Sequence, residues 1–137
     1  MNRVLIDTDI ISYYLKGVDE VIKNVEIYFK YFDKLEISII TYYEITSGLR
    51  AKNAFKKLDV FEQFTQKNIV LPLTEESANI SAKIYGELRQ SGKTLDDIDL
   101  LIAGIAISNK ITLVTNNQKH FNRIQGLKTE NWKHNVM

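Results

Sequence analysis

The residues of this chain with the most chemical capacity are carboxylates, and they fall in three groups. Asp7 and Asp9, separated by Thr8, follow the apolar run Val4-Leu5-Ile6. Glu44 stands three residues after Thr41, and Asp96, Asp97 and Asp99 lead into the apolar run that begins at Leu100. Cys is absent and His120 and His134 are the only imidazoles, which excludes thiol nucleophiles and Cys-based zinc sites. Acid–base or metal chemistry must therefore lean on carboxylates and hydroxyls. Oxygen-only ligands select hard divalent cations such as Mg2+ or Mn2+. A cation of that kind lowers the pKa of a bound water and neutralises charge on a phosphate, so the natural chemistry of the set is hydrolysis of a phosphate ester.

Each acid taken singly has a structural reading. Thr8 or Asp9 can cap the helical-looking stretch that follows, with Asp7 a turn residue. Thr41-x-x-Glu44 directly behind a strand reads as a capping box. One of Asp96, Asp97 and Asp99 can cap the next helix while the others complement its dipole. What raises the acids above this is that they come from separate elements, each at a strand end or a helix beginning. In an open α/β sheet those points converge outside the carboxyl ends of the strands. The Thr115-Asn116-Asn117 turn, placed after what reads as the last strand, joins the same rim.

The elements that must position these groups alternate between short β-type runs and longer helical periodicities. Strands are expected at 3–6, 36–40, 69–72 and 112–115. Val21, Val25, Phe29, Phe32 and Leu35 recur at steps of three and four, as do Leu58, Phe61 and Phe64, marking amphipathic helices. A further helix is expected at 77–90, with Thr74 as N-cap and Gly92 just past its end. Residues 99–109 are apolar nearly all round and should form a buried helix. The pattern predicts an α/β fold with a mostly parallel sheet covered by helices on both faces. With a single Pro and no Ser/Gly-rich stretch, residues 1–137 read as one domain.

Charge is distributed unevenly. The 18 Lys and Arg nearly cancel the 17 Asp and Glu, yet Arg50, Lys52, Lys56, Lys57 and Lys67 concentrate in one segment and Lys110, Lys119, Arg123, Lys128 and Lys133 in another. These two basic stretches suit contact with a nucleic-acid backbone, or equally ordinary solvated helix faces. Tyr13, Tyr14, Tyr42 and Tyr43 flank the acid motifs and are candidates for base stacking or a partner helix, with core packing expected for one of each adjacent pair. The N-terminus shows no signal-peptide pattern and no apolar run approaches the roughly 20 residues of a membrane span. The absence of Cys fits a cytoplasmic location.

Four blocks in order, L-I-D-T-D, I-T-Y-Y-E, D-D-I-D-L-L-I-A-G-I-A and L-V-T-N-N-Q-K-H-F, followed by G-L-K-T-E-N-W at 126–132, closely resemble PIN-domain ribonucleases of the VapC toxin family. The resemblance covers nearly the whole chain. It implies a three-layer α/β/α sandwich and metal-dependent endonucleolytic cleavage of RNA, often structured RNA such as tRNA. By the same resemblance Asp7, Glu44 and Asp99 are the metal-binding and catalytic acids, with Asp97 an auxiliary. A small cognate antitoxin that covers the site and a homodimeric state are implied too. The chain departs from the family pattern twice. Asp9 stands where Asn is more frequent, and the fourth acidic position falls on Asn117, which offers a carbonyl oxygen without charge. Asp9, Asn117 and Thr115 are thus further auxiliary candidates.

Two rival readings use the same residues. Asp-x-Asp after an N-terminal strand is also the nucleophile motif of haloacid-dehalogenase-like phosphatases, in which the first Asp attacks phosphorus and the second protonates the leaving group. A degenerate PIN domain would only bind RNA or protein, but it would have no need to gather like charges. His120 and His134 lie in polar, basic stretches and read as solvated surface.

Overall fold

Five short strands, β1 (Val4–Ile6), β2 (Glu36–Ser38), β3 (Ile69–Leu71), β4 (Thr112–Val114) and β5 (Thr129–Glu130), form the middle of the molecule in a computed structural model that describes residues 1–134. β1 pairs with β4 and β4 with β5, while β2 pairs with β3; every pairing is parallel. β1 and β2 lie side by side, so the ladders join in the order β3-β2-β1-β4-β5. Arg3 donates to both carboxylate oxygens of Glu36 across that junction, at 2.5 and 2.6 Å.

Side-chain alternation along the strands assigns each face its own core. Val4, Ile6, Ile37 and Val114 pack with Ile10 and Ile11 of α1 (Thr8–Leu15), Val21, Val25 and Tyr28 of α2 (Asp19–Tyr28), Ile45 of α3 (Ile39–Ala51) and Phe61 and Phe64 of α4 (Phe55–Lys67). Leu5 and Leu113 point the other way, into Ile84 and Leu88 of α5 (Glu75–Gln90) and Leu100, Ile102 and Ile105 of α6 (Asp97–Ser108). Helices therefore cover both faces, as the alternating pattern and the expected three-layer sandwich require. α6 is buried nearly all round, and its close approach to α5 depends on Gly104: a Cβ there would lie 2.0 Å from Ser81 Oγ and 2.5 Å from the Ser77 carbonyl oxygen.

The boundaries differ from the sequence expectation in four places. The periodicity from Val21 to Leu35 does not run as one helix. α2 stops at Tyr28, Phe32 folds back to stack on Tyr28 with ring centroids 4.6 Å apart, and the Leu35 carbonyl already accepts from Ile69 in the sheet. Thr41-x-x-Glu44 is not a capping box. β2 ends at Ser38, whose Oγ accepts from the Thr41 amide at 3.0 Å, so α3 begins at Ile39 and Glu44 lies in its second turn. Thr74 does cap α5, but its reciprocal partner is the Ser77 hydroxyl. Finally, β4 is not the last strand: the four-residue helix α7 (Gln118–Phe121) and β5 follow it, and Trp132, fully buried against Tyr28, closes that edge.

Candidate active site

β1 delivers its acid by stopping. Ile6 is the last residue of the strand, the Asp7 amide still donates to Val114 at 2.9 Å, and the Asp7 carboxylate then caps α1 by accepting from Thr8 N at 2.8 Å. The N-cap is thus Asp7, rather than Thr8 or Asp9, because the strand ends with its carboxylate already aimed at the helix start. The second Asp7 oxygen accepts from the Thr115 hydroxyl at 2.7 Å, just beyond β4. Thr115 Oγ1 in turn accepts from Asn117 N at 3.0 Å, so the turn after β4 is tied to the acid after β1.

Asp9 sits in the first turn of α1 with one oxygen accepting from Ile10 N at 2.7 Å and the other from Asn116 N at 3.1 Å. A carboxylate held as acceptor on both oxygens is poorly suited to protonate a leaving group, which removes support from the phosphatase reading. Glu44 reaches the same rim from α3: Thr8 Oγ1 donates to its Oε1 at 2.5 Å and shares a hydrogen bond with Thr41 Oγ1 at 3.0 Å. Asp99 arrives from the first turn of α6, next to the buried Leu100.

The four acids feel one another. Burial pushes the Asp7 carboxyl up to about 7, with Asp9 and then Asp99 adding to the rise against the hydrogen bonds from Thr115 and Thr8. Asp9 is raised by burial, with a smaller contribution from Glu44. Asp99 is raised by burial, then by Asp96, Glu44 and Asp9, while His120 opposes the rise. Among the described residues the one ion pair is Arg3–Glu36, at the opposite ends of β1 and β2, so no Lys or Arg compensates the cluster.

The donor set fits a hard divalent cation by its chemistry: four carboxylates from three helix beginnings or turns, in mutual repulsion, beside a hydroxyl and an amide. As the side chains stand, no three acidic or imidazole groups among the described residues converge as ready ligands. Asp7, Asp9 and Glu44 turn their oxygens to the donors of Thr8, Thr115, Ile10 and Asn116 instead.

Of the residues singled out in the sequence, Asp7, Asp9, Glu44, Asp99 and Thr115 are brought together. Asp97 is not. It is exposed and lines a groove between α5 and α6 with Ala82 and Tyr85. Its side of the helix follows from the backbone, because Asp97 and Asp99 are two residues apart and cannot face one way. Asn117 reaches the rim through its backbone, with its side-chain Nδ2 on His120 Nδ1 at 2.9 Å. One residue was missed as a member of the rim: Thr8, whose hydroxyl donates to Glu44. Its place between Asp7 and Asp9 offered the signal, and His120, read from the sequence as solvated surface, is exposed. Tyr13 and Tyr14 are half-buried against the core, Tyr42 likewise, and Tyr43 is exposed. The Lys133 amine lies over the Tyr13 ring, 4.4 Å from its centroid, and the Tyr13 hydroxyl meets Asn116 Nδ2 at 3.4 Å. His134 is exposed, and no helix among the described residues is long and apolar enough to cross a membrane.

Residues 4–127 match the family profile of the PIN domain. The chain is 34% identical over 100 residues to the tRNA(fMet)-specific endonuclease VapC of Shigella flexneri, covering 72% of this chain and 76% of that protein. Among solved structures it is similar to VapBC2 from Rickettsia felis bound to a DNA fragment from their promoter, with a TM-score of 0.82 and 31% identity over 94% of this chain and 98% of the other. It is similar also to DNA-bound VapBC from Salmonella typhimurium, with a TM-score of 0.86 and 28% identity over 96% and 99% of the two chains.

Proposed function

The chain belongs to the PIN-domain family of VapC ribonucleases, and from that premise we propose that it hydrolyses RNA phosphodiester bonds with a divalent metal, Mg2+ or Mn2+, held by Asp7, Glu44 and Asp99. It is an endoribonuclease, the toxin half of a VapBC-type pair, and its partner is a cognate antitoxin. The observation that carries the metal reading is the gathering of Asp7, Asp9, Glu44 and Asp99 at one rim with Asp7 buried and its carboxyl pushed up to about 7. A cation placed there converts repulsion into ligation and supplies an activated water. Thr115 and Thr8 orient the acids, Asp9 and the Asn117 amide oxygen stand by as auxiliary contacts, and the basic stretches hold the RNA backbone.

Structured RNA, transfer RNA in particular, is the substrate class that the similarity to a tRNA-specific relative favours. The antitoxin silences the enzyme by inserting a basic side chain into the carboxylate rim as a charge-assisted plug. A short pulse of expression without the antitoxin, followed by mapping of new RNA ends, tests the reading. New ends should accumulate in a few RNAs and growth should slow; abundant wild-type protein with an unchanged RNA end profile would overturn it.

A further inference from the structure

We propose that Lys133 holds a backbone phosphate of the RNA substrate beside the scissile bond, with its ammonium stationed there by the face of the Tyr13 ring. The inference rests on the ribonuclease reading above and adds a contact that the carboxylates cannot make. Every acid of the rim is an acceptor when ionised, so an RNA strand laid across it meets repulsion unless a cationic donor stands close by. Two other bases of the same stretch do not stand there. Lys110 and Lys128 line a hollow with Asn2 and Arg3 at the amino ends of β1 and β4, the end of the sheet opposite the rim.

Topology brings Lys133 to the acids. β1, β4 and β5 are parallel neighbours, so Asp7, Thr115 and Asn131 leave their carboxyl ends side by side; the Asp7 amide donates to Val114 at 2.9 Å and the Thr115 amide to Glu130 at 2.8 Å. Asp7 and Asn131 are thus two strand spacings apart, about 10 Å. The chain beyond β5 is pinned. The Lys133 amide donates to Asn131 Oδ1, Asn131 Nδ2 donates to Asn116 Oδ1, and the carbonyl of the buried Trp132 accepts from Asn24 Nδ2, each at 2.9 Å. From this base the half-buried Lys133 side chain places its ammonium 4.4 Å from the Tyr13 ring centroid. Tyr13 shares a face of α1 with Asp9, four residues earlier and about 6 Å along the axis. Both grip the same residue, for Asn116 donates from its amide to Asp9 at 3.1 Å and from Nδ2 to the Tyr13 hydroxyl at 3.4 Å. The ammonium therefore stands on the Asp9 side of the rim without neutralising an acid: among the described residues it makes no ion pair. Attraction to the ring holds it there and leaves its charge for a phosphate.

Binding of fluorescently labelled transfer RNA in EDTA at pH 8, measured across a salt series with folding checked by circular dichroism, tests the contact. Lys133→Met keeps the stem and removes the charge. It should bind roughly tenfold more weakly and flatten the log–log salt dependence by about one. Lys133→Arg, which keeps the charge and the attraction to the ring, should restore both. Lys83→Met, which removes the same charge from the exposed side of α5, should behave as wild type. Tyr13→Leu should weaken binding roughly threefold and Tyr13→Phe hardly at all, and Tyr13→Leu should cost nothing further in the Lys133→Met background. With Mg2+ added, the loss should fall on KM rather than kcat. A wild-type salt slope in Lys133→Met, an equal loss in Lys83→Met, or the same cost of Tyr13→Leu in both backgrounds would each overturn the assignment. Wild type that cleaves RNA while Lys133→Met binds and cleaves equally well sinks this inference alone; wild type that neither binds nor cleaves RNA sinks the ribonuclease reading and the inference with it.

Discussion

Replacing Asp7 by Asn should stabilise the metal-free protein above neutral pH while destroying its activity. Asp7 is 6% exposed and its carboxyl is held near 7 in the folded state against 3.8 for an ordinary Asp. Between those two values the unfolded chain is ionised and the folded one is protonated, so the folded state binds the extra proton and stability falls as pH rises. Above pH 7 the accumulated cost is about 4 kcal/mol, taking 1.36 kcal/mol for each pH unit of the gap. Asn keeps the N-cap geometry without the charge, and the loss of the two charge-assisted hydrogen bonds from Thr8 N and Thr115 Oγ1 is already contained in that gap, since both bonds lower the folded value. The gain of about 4 kcal/mol corresponds to a Tm higher by roughly 10–20 °C for a chain of this size. Thermal unfolding in EDTA at pH 8, pH 5 and pH 3 measures it: the variant should be the more stable at pH 8, the advantage should shrink to roughly 1.5 kcal/mol at pH 5, and it should vanish near pH 3, where the carboxyl is protonated in both states. An Asp7→Asn protein less stable than wild type at pH 8, or an advantage as large at pH 5 as at pH 8, would refute the reasoning.

Other outcomes follow from the same geometry. Asp99→Asn and Glu44→Gln should each lower RNA cleavage by about a hundredfold or more with the circular dichroism spectrum unchanged, and EDTA should do the same to wild type, as metal-assisted hydrolysis requires. Mg2+ at saturating concentration should raise the Tm of wild type at pH 8 and leave that of Asp7→Asn nearly where it was, because binding to the folded state alone stabilises by mass action. Thr115→Val removes the hydrogen bond that lowers the Asp7 carboxyl; a carbon-13 titration of the metal-free protein should find the Asp7 midpoint moved to higher pH. Gly104→Ala places a methyl 2.5 Å from the Ser77 carbonyl oxygen, and denaturant unfolding should show a loss of about 1–3 kcal/mol as α6 is forced off α5.

The parts of the fold that sequence exposes are those with a strong period. β1, β4 and α6 could be read because their apolar runs are buried on every side, and α5 because a cap, acids in its first turn and a terminal Gly frame it. β5 could not be read. Two residues with half-exposed side chains carry no alternation, and their pairing depends on Leu113 and Val114 of β4. The α3 start was misplaced because Ser38 and Thr41 are both good caps, and the choice between them is made by where the β2 ladder with β3 ends. For the site, a common rim for Asp7, Glu44 and Asp99 was the expectation from topology, and the structure shows the charges of Asp9 and Glu44 raising the Asp99 carboxyl. Asp97 lies on the α5–α6 groove rather than at the rim, because which way a side chain points at a helix start depends on contacts that no period encodes.

An anomalous-difference map from a crystal of wild-type protein soaked in Mn2+ at pH 8 tests the central claim most directly. The account predicts a single strong peak, or a close pair, with Asp7 and Asp99 oxygens at about 2.1 Å and Glu44 swung from Thr8 toward the ion. A well-occupied Mn2+ bound only elsewhere on the chain, or a soaked crystal in which the Asp7 and Glu44 carboxylates remain on Thr8 and Thr115 with no peak among Asp7, Glu44 and Asp99, would contradict it.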